Sequence, residues 1–259
     1  MTDWGPPIRL GTDQEPRTLT EATLERLRED VVSGRLKSGL KVKSESLKEM
    51  YGVGTSPIRE ALFQLAGEGL VRLEGQRGFR VAELNEKELV DITDWRVRLE
   101  GEALRRAMLN GNLDWEATAV AALYRLKGIQ EGSGLGKAKA ADLWEKRHRE
   151  FHFALYGTCG SPWLLRFCEL LIQNGERYRR AFVQYKQIDR SITEEHEALL
   201  DAAIKRDVPR AFAVLEKHIR HAAELAWKNL FGSVKQGRIP SRGSSKTRHS
   251  TTQRRRPRN

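Results

Sequence analysis

The stretch that decides the fold is YGVGTSPIREALFQLAGEGLVRLEGQRGFRV, which runs from Tyr51 to Val81. It opens with a tight turn that contains two glycines, and it continues with a segment whose apolar residues recur at helical spacing. From Val71 onward, apolar and polar residues alternate around a glycine-bearing centre. That alternation is typical of two short strands joined by a turn, so this segment is predicted to form a β-hairpin.

Two more helical patterns precede this helix and its hairpin. The first carries leucines and valines at helical spacing, and the second begins at Ser44, a favoured N-cap residue, and ends at Gly52. Ser56 and Pro57 are predicted to start the third helix, because serine suits the N-cap and proline the first helical position. Three helices followed by a hairpin predict a winged helix-turn-helix over residues 18–84. A small helical domain with an exposed hairpin is the alternative that the pattern alone leaves open.

The polar start of the third helix and the tip of the hairpin supply candidate DNA contacts. In a winged helix-turn-helix, the first residues of this helix reach base edges and phosphates. An arginine there suits a bidentate contact to guanine or a phosphate clamp, and a glycine at the hairpin tip allows close approach to DNA. The candidates are Lys43, Ser44, Thr55, Ser56, Arg59, Arg77 and Gly78. For the first two, a solvated lysine and a simple helix cap explain the residues as well.

The rest of the chain is predicted to be helical up to residue 232. Residues 86–232 contain a succession of amphipathic helical patterns and almost no strand pattern, so 85–232 is expected to be an all-α bundle domain. Residues 1–17 are rich in glycine and proline and are interpreted as a flexible leader, and residues 233–259 as a disordered basic tail. The predicted fold class is therefore mainly α, a winged helix-turn-helix followed by a helical bundle.

The formal net charge of +11 is concentrated at the end of the chain. Residues 235–259 contain nine Lys or Arg residues and no acidic residue, so the rest of the chain is close to neutral. The basic composition is therefore a poor argument for DNA binding by the folded part, and the tail either adds phosphate contacts or is dispensable. Two cysteines, no secretory signal and no membrane-length apolar run favour a reducing, cytoplasmic location without a membrane partner.

Five of the six histidines lie between residues 148 and 221. His148 and His152 are four residues apart and therefore share one face of a predicted helix, while His196 lies on another helix and His218 and His221 on a third. Imidazoles from facing helices suit a metal site inside a helical bundle, and zinc, nickel, cobalt, iron and manganese all accept such ligands. Histidines scattered on helices without a shared purpose are the alternative.

The stretch from Tyr51 to Val81 closely resembles the signature of the GntR family of regulators, with a counterpart at almost every position. The resemblance implies that Arg59, within PIREAL, contacts DNA and that Gly78, within QRGF, is the glycine of the wing tip. One departure concerns Thr55, which stands where many family members have an arginine. DNA binding is therefore expected, and the operator sequence is expected to differ from that of those members.

Residues 86–230 resemble the FCD ligand-binding domain of the FadR branch, in its VanR-like subgroup. The resemblance rests on ELVDITDWRVRLEGEALRRA, HREFHFALYGTCGSPWLL and EEHEALLDAAIKRDVPRAFAVLEKHIRHA. It implies a bound divalent metal ion, with zinc or nickel favoured. The implied ligands are His148, His152, His196 and His218. His148 departs from the family pattern, which has an acidic or amide residue there. An imidazole is also a competent ligand, and the alternative is that His148 stays back and leaves a three-histidine site.

An open coordination position beside such a metal would bind a small carboxylate effector directly, and the regulator is expected to act as a homodimer. Arg96 matches a family position that often lines the effector cavity and suits a bidentate carboxylate contact. Arg177 and Tyr178 on a later helix are further candidates, although a solvated helix face explains each of them better. These expectations describe a transcription regulator, a repressor, that binds a duplex DNA operator and responds to the effector. One alternative is a metal-dependent helical enzyme, although no HExxH motif or nucleophile elbow is present. The other is a DNA-binding dimer without an effector.

Overall fold

The computed structural model describes residues 18–75, 78–130, 137–182 and 190–232. Within these ranges the chain forms nine helices and one three-stranded sheet, so the predicted, mainly α fold class is confirmed. The predicted leader, the predicted basic tail and Arg77 lie outside the described residues. No helix of the described ranges combines the length and apolar character needed to cross a membrane.

The N-terminal part is a winged helix-turn-helix. Its elements are α1 (Leu19–Val32), β1 (Lys41–Val42), α2 (Ser44–Tyr51), α3 (Thr55–Gly67), β2 (Val71–Leu73) and β3 (Phe79–Val81). The side chains of Leu27, Ile58 and Leu65 are fully buried between α1 and α3, the pair of helices that forms most of the core of this part. Burial of each such side chain contributes about 1.5–3 kcal/mol to folding.

The predicted hairpin is present, and a third strand joins it. Strands β2 and β3 are antiparallel with Leu73 opposite Phe79, and β1 pairs with the other edge of β3. Strand β1 is two residues long, which is too short to give an alternating pattern in the sequence. The sequence therefore predicted the wing but not the strand that ties it to the helices.

The predicted N-caps of the second and third helices are wrong. Helix α2 begins at Ser44 itself with Lys43 in the cap position, and α3 begins at Thr55 with Gly54 in the cap position. Neither cap residue donates or accepts a capping side-chain hydrogen bond. Gly52 ends α2 in the left-handed conformation (φ +67°), so the turn is shorter than predicted only because α3 starts two residues early.

The C-terminal part is a six-helix bundle in the described ranges. Its helices are α4 (Glu86–Asn110), α5 (Leu113–Gln130), α6 (Lys137–Tyr156), α7 (Pro162–Phe182), α8 (Arg190–Ile204) and α9 (Val208–Leu230). Helix α4 is central, since it packs against α6, α7, α8 and α9. The core is built around buried aromatic side chains, among them Trp115, Phe151 and Tyr156.

Helix α7 also supports the winged domain. The side-chain amide of Asn174 donates a hydrogen bond to the carbonyl oxygen of Glu68 at 3.0 Å. Three residues later, the guanidinium of Arg177 donates to the carbonyl oxygen of Ala82, directly after β3. The two domains are therefore joined by side-chain contacts as well as by the chain.

Candidate functional site

One face of α6 carries four ring side chains spaced four residues apart, which places them in a line along the helix. Trp144 stacks on His148 with ring centroids 4.6 Å apart and planes 13° from parallel. The next ring along the line belongs to His152, whose Nε2 lies 3.1 Å from the Nε2 of His148. Tyr156 ends the line, and its hydroxyl oxygen lies 3.3 Å from the Nδ1 of His152.

Two histidines from other helices complete a buried cluster. His196 of α8 and His218 of α9 meet His148 and His152 so that one nitrogen from each of the four rings lies within 4.8 Å of the others. Zinc–nitrogen bonds of about 2.0–2.1 Å place the ligands of a tetrahedral ion roughly 3.3 Å apart, so the more distant of these nitrogens would have to move inward to bind one ion. The structure thus brings together all four metal ligands predicted from the sequence.

The carboxylate of Glu195 fixes the ring of His218. Its Oε2 lies 3.0 Å from the Nδ1 of His218, and its Oε1 lies 3.2 Å from the Nδ1 of His221. An ionised carboxylate accepts hydrogen bonds only, so Nδ1 of His218 carries the proton and Nε2 presents a lone pair. His221 therefore supports the cluster through Glu195 and is not part of it.

A second chain of hydrogen bonds fixes the ring of His152. The Nε–H of Arg96 donates to one oxygen of the buried Glu100 at 2.7 Å, and the hydroxyl of Tyr156 donates to the other at 2.9 Å. Because the tyrosine proton is used in this way, its oxygen is an acceptor toward His152. The Nδ1 of His152 then carries the proton, and its Nε2 presents a lone pair toward His148.

The electrostatics of the cluster favour neutral imidazoles. Burial lowers the pKa of His148, His152 and His196 well below the usual value, and it also lowers the pKa of His218. The buried Nε2 of His196 has no hydrogen-bond partner within the described residues. Neutral imidazole is the form that binds metals, and an unpartnered buried nitrogen is costly without a ligand. These four residues therefore fit a divalent metal ion.

Arg96 lies beside this cluster, as its predicted role requires. Its positive charge contributes to lowering the pKa of His152 and His218, although burial is the larger cause at both. Of the three guanidinium nitrogens of Arg96, only Nε has a hydrogen-bond partner among the described residues, which leaves the two Nη groups available. Helix α7 gives them room, since a Cβ at Gly175 would lie only 3.1 Å from Nη1 of Arg96.

The other two predicted effector contacts are engaged elsewhere. Arg177 bonds the carbonyl oxygen of Ala82, and the hydroxyl of Tyr178 accepts from the backbone N–H of Asn85 at 3.2 Å and donates to Glu88. Both residues hold the segment between the wing and α4. The physical reason is the helical rotation of α7, which directs these side chains toward the connector rather than toward the histidines.

The space next to Arg96 is small. A cavity of about 10 Å³ lies between α4, α7 and α9, with Thr93, Arg96 and Arg179 among its polar lining residues and Ile219 among its apolar ones. That volume holds about one water molecule. A much larger groove, of about 1270 Å³, lies between α1 and helices α5 to α7 and is lined by none of the four histidines. A metabolite beside Arg96 therefore requires the three helices to separate.

The start of α3 is accessible for DNA. Ser56 and Arg59 are exposed and Thr55 is half-buried. At the start of α2, Lys43 is exposed and Ser44 is half-buried. No ion pair within the described residues occupies the guanidinium of Arg59. Its charge is therefore free to meet a phosphate or a guanine edge.

Gly78 shapes the wing. Its φ of +99° lies in the region that favours glycine, and a Cβ there would lie 3.3 Å from the carbonyl oxygen of Val42 in β1. Its own carbonyl oxygen accepts from the backbone N–H of Glu74 at 2.9 Å and so closes the hairpin. A side chain at residue 78 would strain the backbone and press on the neighbouring strand.

The sequence reasoning missed the residues that orient the histidines. Trp144 and Tyr156 continue the four-residue spacing of His148 and His152, and this signal was available in the sequence. Glu195 directly precedes His196, but its link to a histidine 23 residues away appears only in the fold. The link from Tyr156 to Glu100, 56 residues apart, has no local signal at all.

Comparison with known proteins finds a matching family for each of the two domains. Residues 19–81 match the family of bacterial regulatory proteins described as the gntR family, and residues 91–221 match the FCD domain. The HTH-type transcriptional regulator BphR of Paraburkholderia xenovorans is 40% identical over 203 residues, which cover 78% of this chain and 83% of that protein. The chain belongs to the GntR family.

Other GntR relatives and solved structures are similar along most of the chain. The HTH-type transcriptional repressor GlaR of Escherichia coli is 32% identical over 197 residues, covering 74% of this chain and 89% of that protein. The solved structure of E. coli McbR/YncC shares the fold, with a TM-score of 0.69 at 22% identity, over 82% of this chain and 98% of that one. The protein is thus a transcription regulator of the GntR family with an FCD domain, and not an enzyme.

Proposed function

We propose that this regulator binds a two-fold DNA operator as a homodimer and releases it in response to a small carboxylate metabolite. In this proposal the metabolite binds beside a divalent metal ion in the four-histidine cluster. The observation that carries it is the cluster itself, in which Glu195 and the Glu100–Tyr156 pair orient two rings so that their lone pairs face inward.

The ion would be held by the ring nitrogens of the cluster, and zinc or nickel suits an all-imidazole set. The holding residues are His148, His152, His196 and His218. When bound, such an ion offers a coordination position to an anionic oxygen. The protein's own contribution is to keep the four rings neutral and two of them in fixed tautomers, as the burial and hydrogen bonds described above imply.

Arg96 would bind the carboxylate of the metabolite. Its two Nη groups have no partner within the described residues, and its Nε is fixed by Glu100, so the planar fork is held in one orientation. A bidentate contact to a carboxylate uses that geometry well. The adjoining cavity of about 10 Å³ indicates that the helices move when the metabolite enters.

On the DNA side, Arg59 at the start of α3 would read the operator, with Thr55, Ser56, Lys43 and Ser44 beside it and Gly78 shaping the wing. Arg77 of the wing belongs to the same proposal, although it lies outside the described residues. The direction of regulation is proposed from GlaR, which is named a repressor.

Coupling between the two sites would be a shift of population. A metabolite changes operator affinity only if it binds one arrangement of the winged domains better than the other. Helix α7 is placed to transmit that difference, because Gly175 packs against Arg96 while Asn174 and Arg177 bond the winged domain.

Elemental analysis of purified protein, together with operator binding in the presence of a panel of small carboxylates, tests the proposal. We expect about one metal ion per chain, lost in His152→Ala and in His196→Ala, and an operator affinity that at least one carboxylate lowers by about tenfold or more. The matched control is His221→Gln, which changes a histidine outside the cluster and should retain the metal.

Two outcomes would contradict the proposal. Unchanged metal content in both alanine variants would remove the metal centre. Operator affinity that no carboxylate changes, in wild type as in His152→Ala, would favour a DNA-binding dimer without an effector.

A further inference from the structure

Helix α5 is apolar on two opposite faces. One face is buried in the bundle and includes Trp115, Ala119 and Leu126. The opposite face is exposed: Leu113 and Tyr124 keep 80% of their surface and Val120 keeps 46%. A helix with a second apolar face is expected to have that face covered as well, because contiguous exposed apolar patches mark interaction surfaces.

The exposed face forms a regular stripe. Its residues recur at intervals of four, three and four positions, which is the spacing of a seam between two packed helices. They are Leu113, Ala117, Val120 and Tyr124, and we call them the α5 stripe. The stripe runs for about three turns, or roughly 16 Å. The small side chain of Ala117, and open space around Gly128 farther along, permit a close approach of another helix.

Among the described residues, the unpaired charges beside the stripe have opposite signs at its two ends. Asp114 lies at its N-terminal end and Arg125 at its C-terminal end, eleven residues or about three turns apart, and so on the same flank of the helix. Neither makes an ion pair within the described residues. On the other flank, Glu116 and Lys127 are already paired, with Arg206 and Glu197.

This arrangement is complementary to itself in one orientation. If two copies of α5 pack antiparallel about a two-fold axis, Asp114 of each copy lies next to Arg125 of the other. A parallel arrangement would instead put equal charges and equal helix ends together. In an antiparallel pair the α5 stripe of one copy also packs against the α5 stripe of the other, and use of the same surface on both copies defines a two-fold interface.

We propose that the α5 stripe is the surface through which a second copy of this chain binds, antiparallel and about a two-fold axis. The proposal rests on the homodimer in the function proposed above and names the surface that forms it. The second copy buries Leu113, Val120 and Tyr124, and two reciprocal pairs of Asp114 with Arg125 fix the register. The flanking pairs contribute to specificity more than to affinity.

The first test is the oligomeric state of full-length variants by sedimentation equilibrium. Wild type should be a dimer, and Val120→Glu should weaken dimerisation by roughly a hundredfold or more, because it places a charge in the centre of the seam. The matched control is Trp163→Glu, which changes an exposed aromatic residue of α7 and should leave the dimer intact. A Val120→Glu variant that dimerises as tightly as wild type overturns the proposal, whereas a monomeric wild type overturns the homodimer of the proposed function together with it.

A charge exchange tests the orientation. Asp114→Arg alone and Arg125→Asp alone should each weaken the dimer by roughly tenfold, since each brings equal charges together twice. The double variant should restore most of the loss, and failure to restore it overturns the antiparallel register. Circular dichroism establishes that each variant is folded. Metal content is measured on the same samples, so that loss of the α5 interface is distinguished from loss of the metal centre.

Discussion

The Nε2 atoms of His148 and His152 face each other at 3.1 Å inside the buried cluster. Because the Tyr156 hydroxyl oxygen accepts a hydrogen bond from Nδ1–H of His152, the facing Nε2 of His152 is an acceptor. In metal-free protein His148 must then be the tautomer with its proton on Nε2. Binding a cation requires only that this proton move to the other ring nitrogen, since all four rings are already neutral.

The lowered pKa values of the histidines make the stability of metal-free protein depend on pH. An unfolded histidine has a pKa of about 6.5, so below that pH the unfolded chain takes up protons that the folded cluster does not. The free energy of unfolding should therefore fall as pH decreases from about 6.5, by up to roughly 1.4 kcal/mol per pH unit for each buried histidine. Urea unfolding in EDTA between pH 7 and pH 5 measures this slope.

The comparison that isolates the cluster is with His196→Leu. Burial raises the pKa of the Glu145 and Glu169 carboxyls, and these groups stabilise the fold as pH falls, so they oppose the histidines. They are present in both proteins and cancel in the difference. In the leucine variant, the slope of unfolding free energy against pH should be smaller by about the contribution of one histidine. An identical slope in both proteins would contradict neutral burial of His196.

Which side chains form the cluster was predictable from the sequence, but their supporting bonds were not. His148 and His152 are fixed by spacing on one helix, whereas the bond between Glu195 and His218 depends on how α8 packs against α9. Arg177 shows the same limit. Its charge suggested an effector contact, but only the rotation of α7 decides that it bonds Ala82 instead.

At the scale of elements, the helices were predictable where one face is apolar and the other polar. Helix α9 has such a pattern and ends near the predicted position. The start of α3 was predicted two residues late, because Ser56 has cap chemistry but Gly54 has the extended backbone that precedes the helix. Helix α5 is the opposite case, since its two apolar faces leave the buried side undefined until α6 and α8 are in place.

Helix α3 carries the DNA-binding prediction. Arg59→Ala should lower affinity for the specific operator by about ten- to a hundredfold, the cost of one arginine that contacts a base. Folding should be unaffected, because the side chain is exposed and makes no ion pair with described residues. Fluorescence anisotropy at one fixed salt concentration measures the affinity of each protein for the operator duplex and for a duplex of random sequence.

Arg105→Ala is the matched control for this variant. Arg105 is an exposed arginine in the helical domain, paired with Glu102, and its loss should leave operator affinity within about twofold. If Arg59→Ala weakens specific and random duplexes equally, Arg59 contacts phosphate and does not read bases.

At the scale of the whole molecule, ion pairs link the helical domain to Arg35, which lies between α1 and β1 of the winged domain. Asp142 of α6 accepts from Arg180 of α7 at 2.5 Å and from Arg35 of the winged domain at 3.4 Å. Arg35 also pairs with Asp30, which in turn accepts from the hydroxyl of Tyr51, the last residue of α2. A displacement of α7 therefore reaches the helix that precedes the recognition helix through side chains alone.

Asp142→Asn tests whether this link carries regulation. The pair with Arg35 is half-exposed and contributes little to stability. The asparagine Oδ1 can still accept from Arg180, whose charge remains paired with Glu176, so the variant should fold and bind metal normally. The ratio of operator affinities without and with the carboxylate of the panel that lowers affinity most should change by about two- to thirtyfold, the range of a single coupling contact. Asp201→Asn, which breaks exposed pairs with Lys205 and Arg210, is the control and should leave the ratio unchanged. An unchanged ratio in Asp142→Asn would assign the coupling to Asn174 and Arg177, whose bonds to the winged domain do not involve Asp142.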